Sequence, residues 1–399
     1  MTRIGINASF ARKPGSGIGQ VTINFLKELA LSNPLFESGK DDETEFILYL
    51  EEDLPIENDL PKGFRKCIFL PFWKRDDLVR KILWERFYLP HKVKSDGCDI
   101  FLSLYQCPTI ISKKIPHMML VHDIVPKLFP YYLNNRRKQL YWSWTEGAIK
   151  AAQKILVVSS RTEKDLIKHL GIGAEKISVN YIDCDNIYRK PISQAKIQRV
   201  LEKYKLKPGY IYNGGGLEVR KNTEGVVRAY KKLLESNKNN PFVEELPKLV
   251  ISGRLLPHLA PLVTDIEKLT KDLNLSEHVQ ILGYVSQDEL PALYSQAAFF
   301  IYPSHYEGFG IPVLEAMAVG CAVVTSKTSS LPEVGLDSVL YCNPDDVRDI
   351  MMVMKNLLTN HSLRKTLKIR GQERAKAFSW KRFTEKIAGE MGAILSIIK

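Results

Sequence analysis

The chain has 399 residues, 45% hydrophobic and 26% charged, and its 57 Lys/Arg against 45 Asp/Glu give a net charge of +12 at pH 7. That length exceeds one ordinary core and suits two domains, in a composition typical of soluble globular proteins. No apolar run is long enough to span a bilayer, "MTRIGINASF" has no leader-like core, and the six cysteines (67, 98, 107, 184, 321, 342) form no CxxC pair; a cytoplasmic protein with reduced thiols is expected, without a disulfide framework or a zinc site.

Strand-like and helix-like runs then alternate along the chain. "RIGINA" is followed by the glycine loop "KPGSGIGQ" (13–20), which opens a helix near 21–31. Gly17 and Gly19 there suit either a ligand approaching the strand's carboxyl end or a flexible turn. "EFILYL" and "KCIFL" follow as strands, then a helical stretch near 76–88. Between Pro61 and Lys94 lie ten Lys/Arg and three Asp/Glu, interleaved with Phe64, Phe69, Phe72, Trp73, Trp84, Phe87 and Tyr88. Basic and aromatic residues together suit an anionic membrane surface, and they suit equally a solvated face laid over core aromatics. No nucleic-acid-binding motif accompanies the charge, so nucleic acid is not an expected partner.

"CDIFLSL" and "HMMLVHD" are further strands, the second ending in His122 and Asp123; titratable groups at such a strand end are site candidates. A second basic aromatic run, "PKLFPYYLNNRRKQLYWSW" (126–144), leads into a helix near 135–153, then the strand "KILVVSS" and a helix near 161–169. "YIDCDNIYRKPIS" breaks the periodicity and reads as a linker whose aspartates do turn chemistry, with no metal expected. A second strand series follows: "GYIYNGG", "KLVISG", "VQILGY", "FFIYPS", "CAVVTS" and "SVLYC", with helices between them and three closing helical stretches near 344–359, 362–378 and 381–398. Alternation of this kind predicts two doubly wound, parallel α/β domains whose ligands bind at the carboxyl ends of the strands.

The chemistry concentrates in "EGFGIPVLEAMAVG" (307–320). Pro312 suits the first turn of a helix, so the amides of Phe309, Gly310 and Ile311 would form an anion site. Glu315, about one turn in, can accept two hydrogen bonds from a diol such as a ribose, and Glu307 can hold hydroxyls beyond the phosphates. In "YNGGGLEVRKN" (212–222) a strand runs into three glycines and then Arg220 and Lys221, cations suited to a diphosphate.

Taken together these residues resemble the retaining glycosyltransferases of family 4. The resemblance spans the chain and is strongest over "YPSHYEGFGIPVLEAMAVGCAVVTSKTSSLPEV", with "RKN", "LGYVSQDELPALY", "SGIGQ" and "VHD" in the expected order. It implies the GT-B arrangement, two Rossmann-like domains facing a cleft: an acceptor-binding domain over 1–188, a nucleotide-sugar-binding domain over 189–378, and a helix over 379–399 crossing back to the N-terminal domain. By position it implies Arg220 and Lys221 on the donor diphosphate, Glu315 on the ribose, and Glu307 with the 309–311 amides on the sugar and phosphate. Tyr284, Val285 and Arg254 would line the base, Gly17 and Gly19 would sit below the phosphates, and His122 would face the transferred sugar. Within the family it is most similar to bacterial mannosyltransferases of surface polysaccharide synthesis. This implies a hexose donor such as GDP-mannose, no metal cofactor, and a glycan or lipid-linked acceptor at the inner face of the membrane. A nucleotide-sugar hydrolase or epimerase, or a non-catalytic scaffold, are the alternatives on the same build. Alanine at Arg220, Lys221 or Glu307 is expected to cripple transfer with the fold intact.

Overall fold

A computed structural model describes residues 1–32, 44–54, 63–68, 77–237 and 246–398. The chain divides into two compact units, residues 1–183 with 379–399, and residues 184–378. Phe69, Phe72 and Trp73 of the first basic aromatic run lie outside the described residues.

In the first unit the strands are β1 (Thr2–Asn7), β2 (Thr44–Leu50), β3 (Phe64–Ile68), β4 (Ile100–Ser103), β5 (His117–Val121), β6 (Lys154–Val157) and β7 (Ile177–Val179). They form one parallel sheet in the order β3-β2-β1-β4-β5-β6-β7. β4 and β5 are buried along their whole length, as strands covered by helices on both faces must be. The closing helix, Trp380–Ile398, packs on this unit. Phe383 meets Phe25 edge-on at 6.1 Å, Asn180 Nδ2 donates to the Phe383 carbonyl at 2.9 Å, and Lys154 pairs with Glu390 at 3.3 Å.

The second unit repeats the plan with β8 (Ile211–Asn213), β9 (Leu249–Ser252), β10 (Val279–Gly283), β11 (Phe299–Tyr302), β12 (Val323–Ser326) and β13 (Leu340–Cys342), parallel in the order β10-β9-β8-β11-β12-β13. Its core joins Ile211, Leu249, Ile251, Phe299, Ile301 and Val324 of the sheet to Val226, Tyr230 and Ile350 of the helices. In each sheet the strand order reverses once, between β1 and β4 and between β8 and β11. Such reversals open a crevice at the carboxyl ends of the strands.

Three local features differ from the sequence reading. Residues 184–188, expected in the first domain, belong to the second unit, because Tyr188 is buried beside Tyr294 and donates to Gln287. β7, only three residues long, carries too little pattern to be read. The helical stretch at 76–88 is an α-helix (Asp77–Ile82) followed by a π turn (Leu83–Tyr88), and it runs on into Leu89–Ser95. Pro90 falls in the first turn of that last piece, where a missing N–H costs little.

Candidate functional site

In the second unit, the loops after β8 and β11 meet at the reversal of the sheet. Gly215 has φ +90°, and a Cβ on it would lie 2.9 Å from Pro312 Cγ and 3.1 Å from Tyr302 Cε2. The glycine loop therefore closes directly onto the start of the helix Ile311–Val319. Gly310, at φ +111°, precedes that helix, and a Cβ there would meet Leu331 at 2.7 Å. The first N–H groups of a helix have no acceptor within it, so the amides at 310 and 311 stand at a dipole end suited to an anion.

Arg220 and Glu307, 87 positions apart, form the centre of this crevice. Arg220 Nη1 lies 2.9 Å from Glu307 Oε1 and donates to the Tyr306 carbonyl at 2.7 Å, while its Nε donates to Glu218 at 2.8 Å. Glu307 Oε1 also accepts from Tyr302 at 2.7 Å, with Ser304 Oγ at 2.9 Å. The loop itself is fastened by the Glu307 amide donating to Ser329 at 2.9 Å and by Ser330 donating to the Glu307 and Phe309 carbonyls, each at 2.8 Å. Burial alone would raise the Glu307 pKa, but Arg220, Lys221 and the Tyr302 hydroxyl outweigh it and hold the carboxyl below its ordinary range. Lys221 lies over the glycine loop and donates to the Gly215 carbonyl. Burial lowers its ammonium pKa, against the pull of Glu307.

Glu315, buried one turn into the helix, accepts from Tyr294 at 3.2 Å. Burial pushes its pKa up to about 7, the Tyr188 and Tyr294 hydroxyls pulling against it. On the far side of the glycine loop, Arg254 after β9 lies over the Tyr284 ring at 4.9 Å. Tyr284 is 54% exposed, while the next residue, Val285, is buried. An exposed ring beside a guanidinium offers a flat surface on which an aromatic base can stack. Asn222 caps the following helix, accepting from the Gly225 amide at 3.2 Å, and donates to the Pro344 carbonyl at 2.7 Å.

Gly17, Gly19 and His122 belong to the first unit. Gly17 is exposed at the start of the helix Gly17–Ser32. Gly19 is buried, and a Cβ on it would lie 1.9 Å from the Lys13 carbonyl oxygen. Its missing side chain therefore makes room for the Lys13 carbonyl of its own loop. His122 is buried at the end of β5, and its Nε2 lies 3.0 Å from the Leu104 carbonyl. A carbonyl only accepts, so the proton sits on Nε2 and Nδ1 is an acceptor. Burial lowers the His122 pKa to about 4, so the ring is neutral at pH 7 and suits accepting from a hydroxyl better than donating a proton.

The sequence reading missed a carboxylate in this unit. Glu85, in the π turn, is fully buried. It accepts from Tyr105 at 2.6 Å and Tyr141 at 2.7 Å, and Lys81 lies 3.7 Å away. Lys81 in turn faces the rings of Phe10, Tyr105 and Tyr141 at 4.8–5.3 Å. Burial holds the Glu85 carboxyl above its ordinary range. Enclosed in this way it ties the π turn to Tyr105 and to Tyr141 of the helix Arg136–Ala151. Of the basic aromatic residues, Trp84 and Trp142 are core. Phe87, Tyr88, Tyr131 and Leu140 are exposed, and Arg86 over Trp144 (5.9 Å) brings the π turn against the helix Arg136–Ala151. Among the described residues no helix is long and apolar enough to cross a membrane.

Residues 46–182 match Glycosyltransferase Family 4, and residues 194–374 match Glycosyl transferases group 1. The O-antigen chain mannosyltransferase B of Escherichia coli is 31% identical over 381 residues, 93% of this chain and 94% of that protein. Among solved structures, a sucrose-phosphate synthase of Thermosynechococcus elongatus is similar with a TM-score of 0.74 at 15% identity, covering all of both chains. Anabaena HepE in complex with UDP and glucose is similar with a TM-score of 0.71 at 16% identity, covering 98% of this chain and 100% of that one. At those identities the likeness concerns the fold.

Proposed function

The chain belongs to the family 4 and group 1 glycosyltransferases and has their two-domain GT-B fold; from that premise we propose that it moves mannose from a nucleoside diphosphate donor, GDP-mannose first, to a hydroxyl of a growing glycan, with retention and without a metal cofactor. The observation that carries the donor reading is the convergence of Arg220, Lys221, the glycine loop and a helix N-terminus at one sheet reversal. These are donors aimed where charge develops as a diphosphate departs, commonly the largest catalytic term. The bond from the sugar's C1 to the diphosphate oxygen breaks, and its electron pair stays with the phosphate beside Lys221 and Arg220. The acceptor oxygen then bonds C1 on the same face, and its proton passes to the leaving phosphate. Glu307 holds sugar hydroxyls and Glu315 the ribose. Mannose rests on the identity to a mannosyltransferase over nearly the whole chain.

A panel of GDP, UDP and dTDP with their sugar conjugates, each with and without magnesium, tests this by thermal melting. One diphosphate family at a hundredfold over its Kd should stabilise the protein by about 2.7 kcal/mol, a rise of several degrees, equally without magnesium. No shift with any of them would remove the donor site, and a shift seen only with magnesium would remove metal independence.

The exposed Phe87, Tyr88 and Leu140, with Arg136 and Arg137 exposed on the adjoining helix, support a peripheral contact with anionic lipid. Co-sedimentation with phosphatidylglycerol vesicles should be strong at low salt and fall for Phe87→Ser/Tyr88→Ser; equal sedimentation of that variant would sink the contact.

A further inference from the structure

Tyr188 ends the 3-10 turn Asn186–Tyr188, which Asp185 caps by accepting from the Ile187 amide at 2.9 Å. The turn opens the second unit, and Tyr188 is 1% exposed, with its ring edge-on to Tyr294 at 6.2 Å. A phenol buried this deeply needs a partner, and this one has two acceptors for a single proton. It donates to Gln287 Oε1 at 2.5 Å and also faces the Glu315 carboxyl. Gln287 lies on the loop after β10 that carries Tyr284 and Val285. Two residues further on, Glu289 fastens that loop by accepting from Lys203 at 2.6 Å and from Tyr204 and Ser286 at 2.9 Å each.

We propose that Tyr188 is a positioning residue for the nucleoside half of the donor, joining Glu315 to Gln287 so that one hydroxyl proton serves both the ribose carboxylate and the base-side loop. This rests on the reading of Glu315 as the ribose-binding carboxylate. A vicinal diol donates through both hydroxyls, and only an ionised Glu315 offers both of its oxygens as pure acceptors. A protonated Glu315 keeps fewer acceptor sites and leaves the Tyr188 proton to Gln287, to which Tyr188 donates at 2.5 Å. When Glu315 ionises, Tyr188 can turn its proton to the carboxylate and release Gln287 toward the base. The groups facing Glu315 are Tyr188 and Asp185 from the turn, Tyr294 from the helix Leu290–Gln296, Tyr212 from β8, and Lys221 beside the glycine loop. Among them Asp185 raises the carboxyl pKa while Tyr188, Tyr294 and Lys221 lower it.

Calorimetric binding of GDP and UDP between about pH 5.5 and about pH 8.5 tests the proposal on the intact protein, using Tyr188→Phe and Glu315→Gln. In the wild type, affinity should fall as the pH drops through about 7. Tyr188→Phe removes a donor that favours the carboxylate, so its fall should begin about one pH unit higher. Binding should then be about fivefold weaker than wild type at pH 7 and converge on it at the alkaline end. A melting temperature near wild type confirms that the retained ring still packs. A Tyr188→Phe profile superimposed on wild type, or weakened equally at every pH, overturns the positioning role while Glu315→Gln still loses binding. If Glu315→Gln binds as wild type does, the ribose reading falls and this one with it.

Discussion

Lys221→Ala should lower sugar transfer from the proposed donor, GDP-mannose, to its glycan acceptor by about 10²–10³-fold, the loss typical of removing one preorganised donor from a developing anion. The effect should fall mainly on kcat, because the ammonium matters most when the diphosphate carries its full departing charge. The fold should survive, since Lys221 is half-buried and its hydrogen bond is to the Gly215 carbonyl of a neighbouring loop. Lys221→Arg should recover part of the rate by restoring the charge. A Lys221→Ala enzyme within about threefold of wild type in kcat would take this residue out of the leaving-group machinery.

Arg220 does not allow the same experiment, and here the structure changes the expectation drawn from sequence. The guanidinium is the partner of a buried carboxylate, contacting Glu307, the Tyr306 carbonyl and Glu218 together. Removing one member of a buried pair costs about 3–5 kcal/mol because the other is left uncompensated. Alanine at Arg220 would therefore mix a folding defect into any loss of rate, which makes Lys221 the cleaner probe of diphosphate stabilisation.

What could be read in advance follows from the range of each signal. The strands of both sheets other than β7 are apolar runs ended by glycine, proline or polar residues, and their alternation with helices is enough for two parallel sheets. The helix N-terminus at 310–311 was equally legible, because glycine and proline act locally. The contact between Gly215 and Pro312 and the pairing of Arg220 with Glu307 were not, since each joins loops that only the sheet order brings together. Glu85 sits in a basic stretch that reads as a solvated helix, and nothing local marks it as enclosed by Tyr105 and Tyr141 from other elements. Tyr188 was hidden for a related reason. Its neighbourhood reads as a linker, and its partner Gln287 lies 99 positions away.

The two glutamates of "EGFGIPVLE" should respond to pH in opposite directions, and their amide variants make the difference measurable. Glu307 is held below the ordinary 4.5 by Arg220 and Lys221 against burial, so it stabilises the fold above pH 4.5 and loses that contribution as the pH falls toward its folded value. Glu307→Gln should melt below wild type at pH 7, and the gap should narrow below pH 4.5. Transfer should fall about a hundredfold or more, because the amide keeps the Tyr302 contact but no longer holds Arg220 and the sugar hydroxyls in register. Glu315 is displaced the other way, from 4.5 up to about 7. A raised carboxyl favours the fold below pH 4.5 and loses that advantage as the pH rises through about 7, a difference on the order of 3 kcal/mol. Glu315→Gln is spared that loss, so it should gain on wild type between pH 5 and 8 in the absence of nucleotide. At the same time it should lose the stabilisation that nucleotide gives the wild type. Melting curves of both variants across that range decide the matter, and parallel pH slopes would mean that the arginine–lysine pair does not separate the two carboxylates. If the slopes diverge, one motif supplies both an ionised anchor beside the diphosphate and a carboxyl poised near neutrality beneath the ribose. Donor affinity would then fall toward acid pH through Glu315, while Glu307 stayed charged.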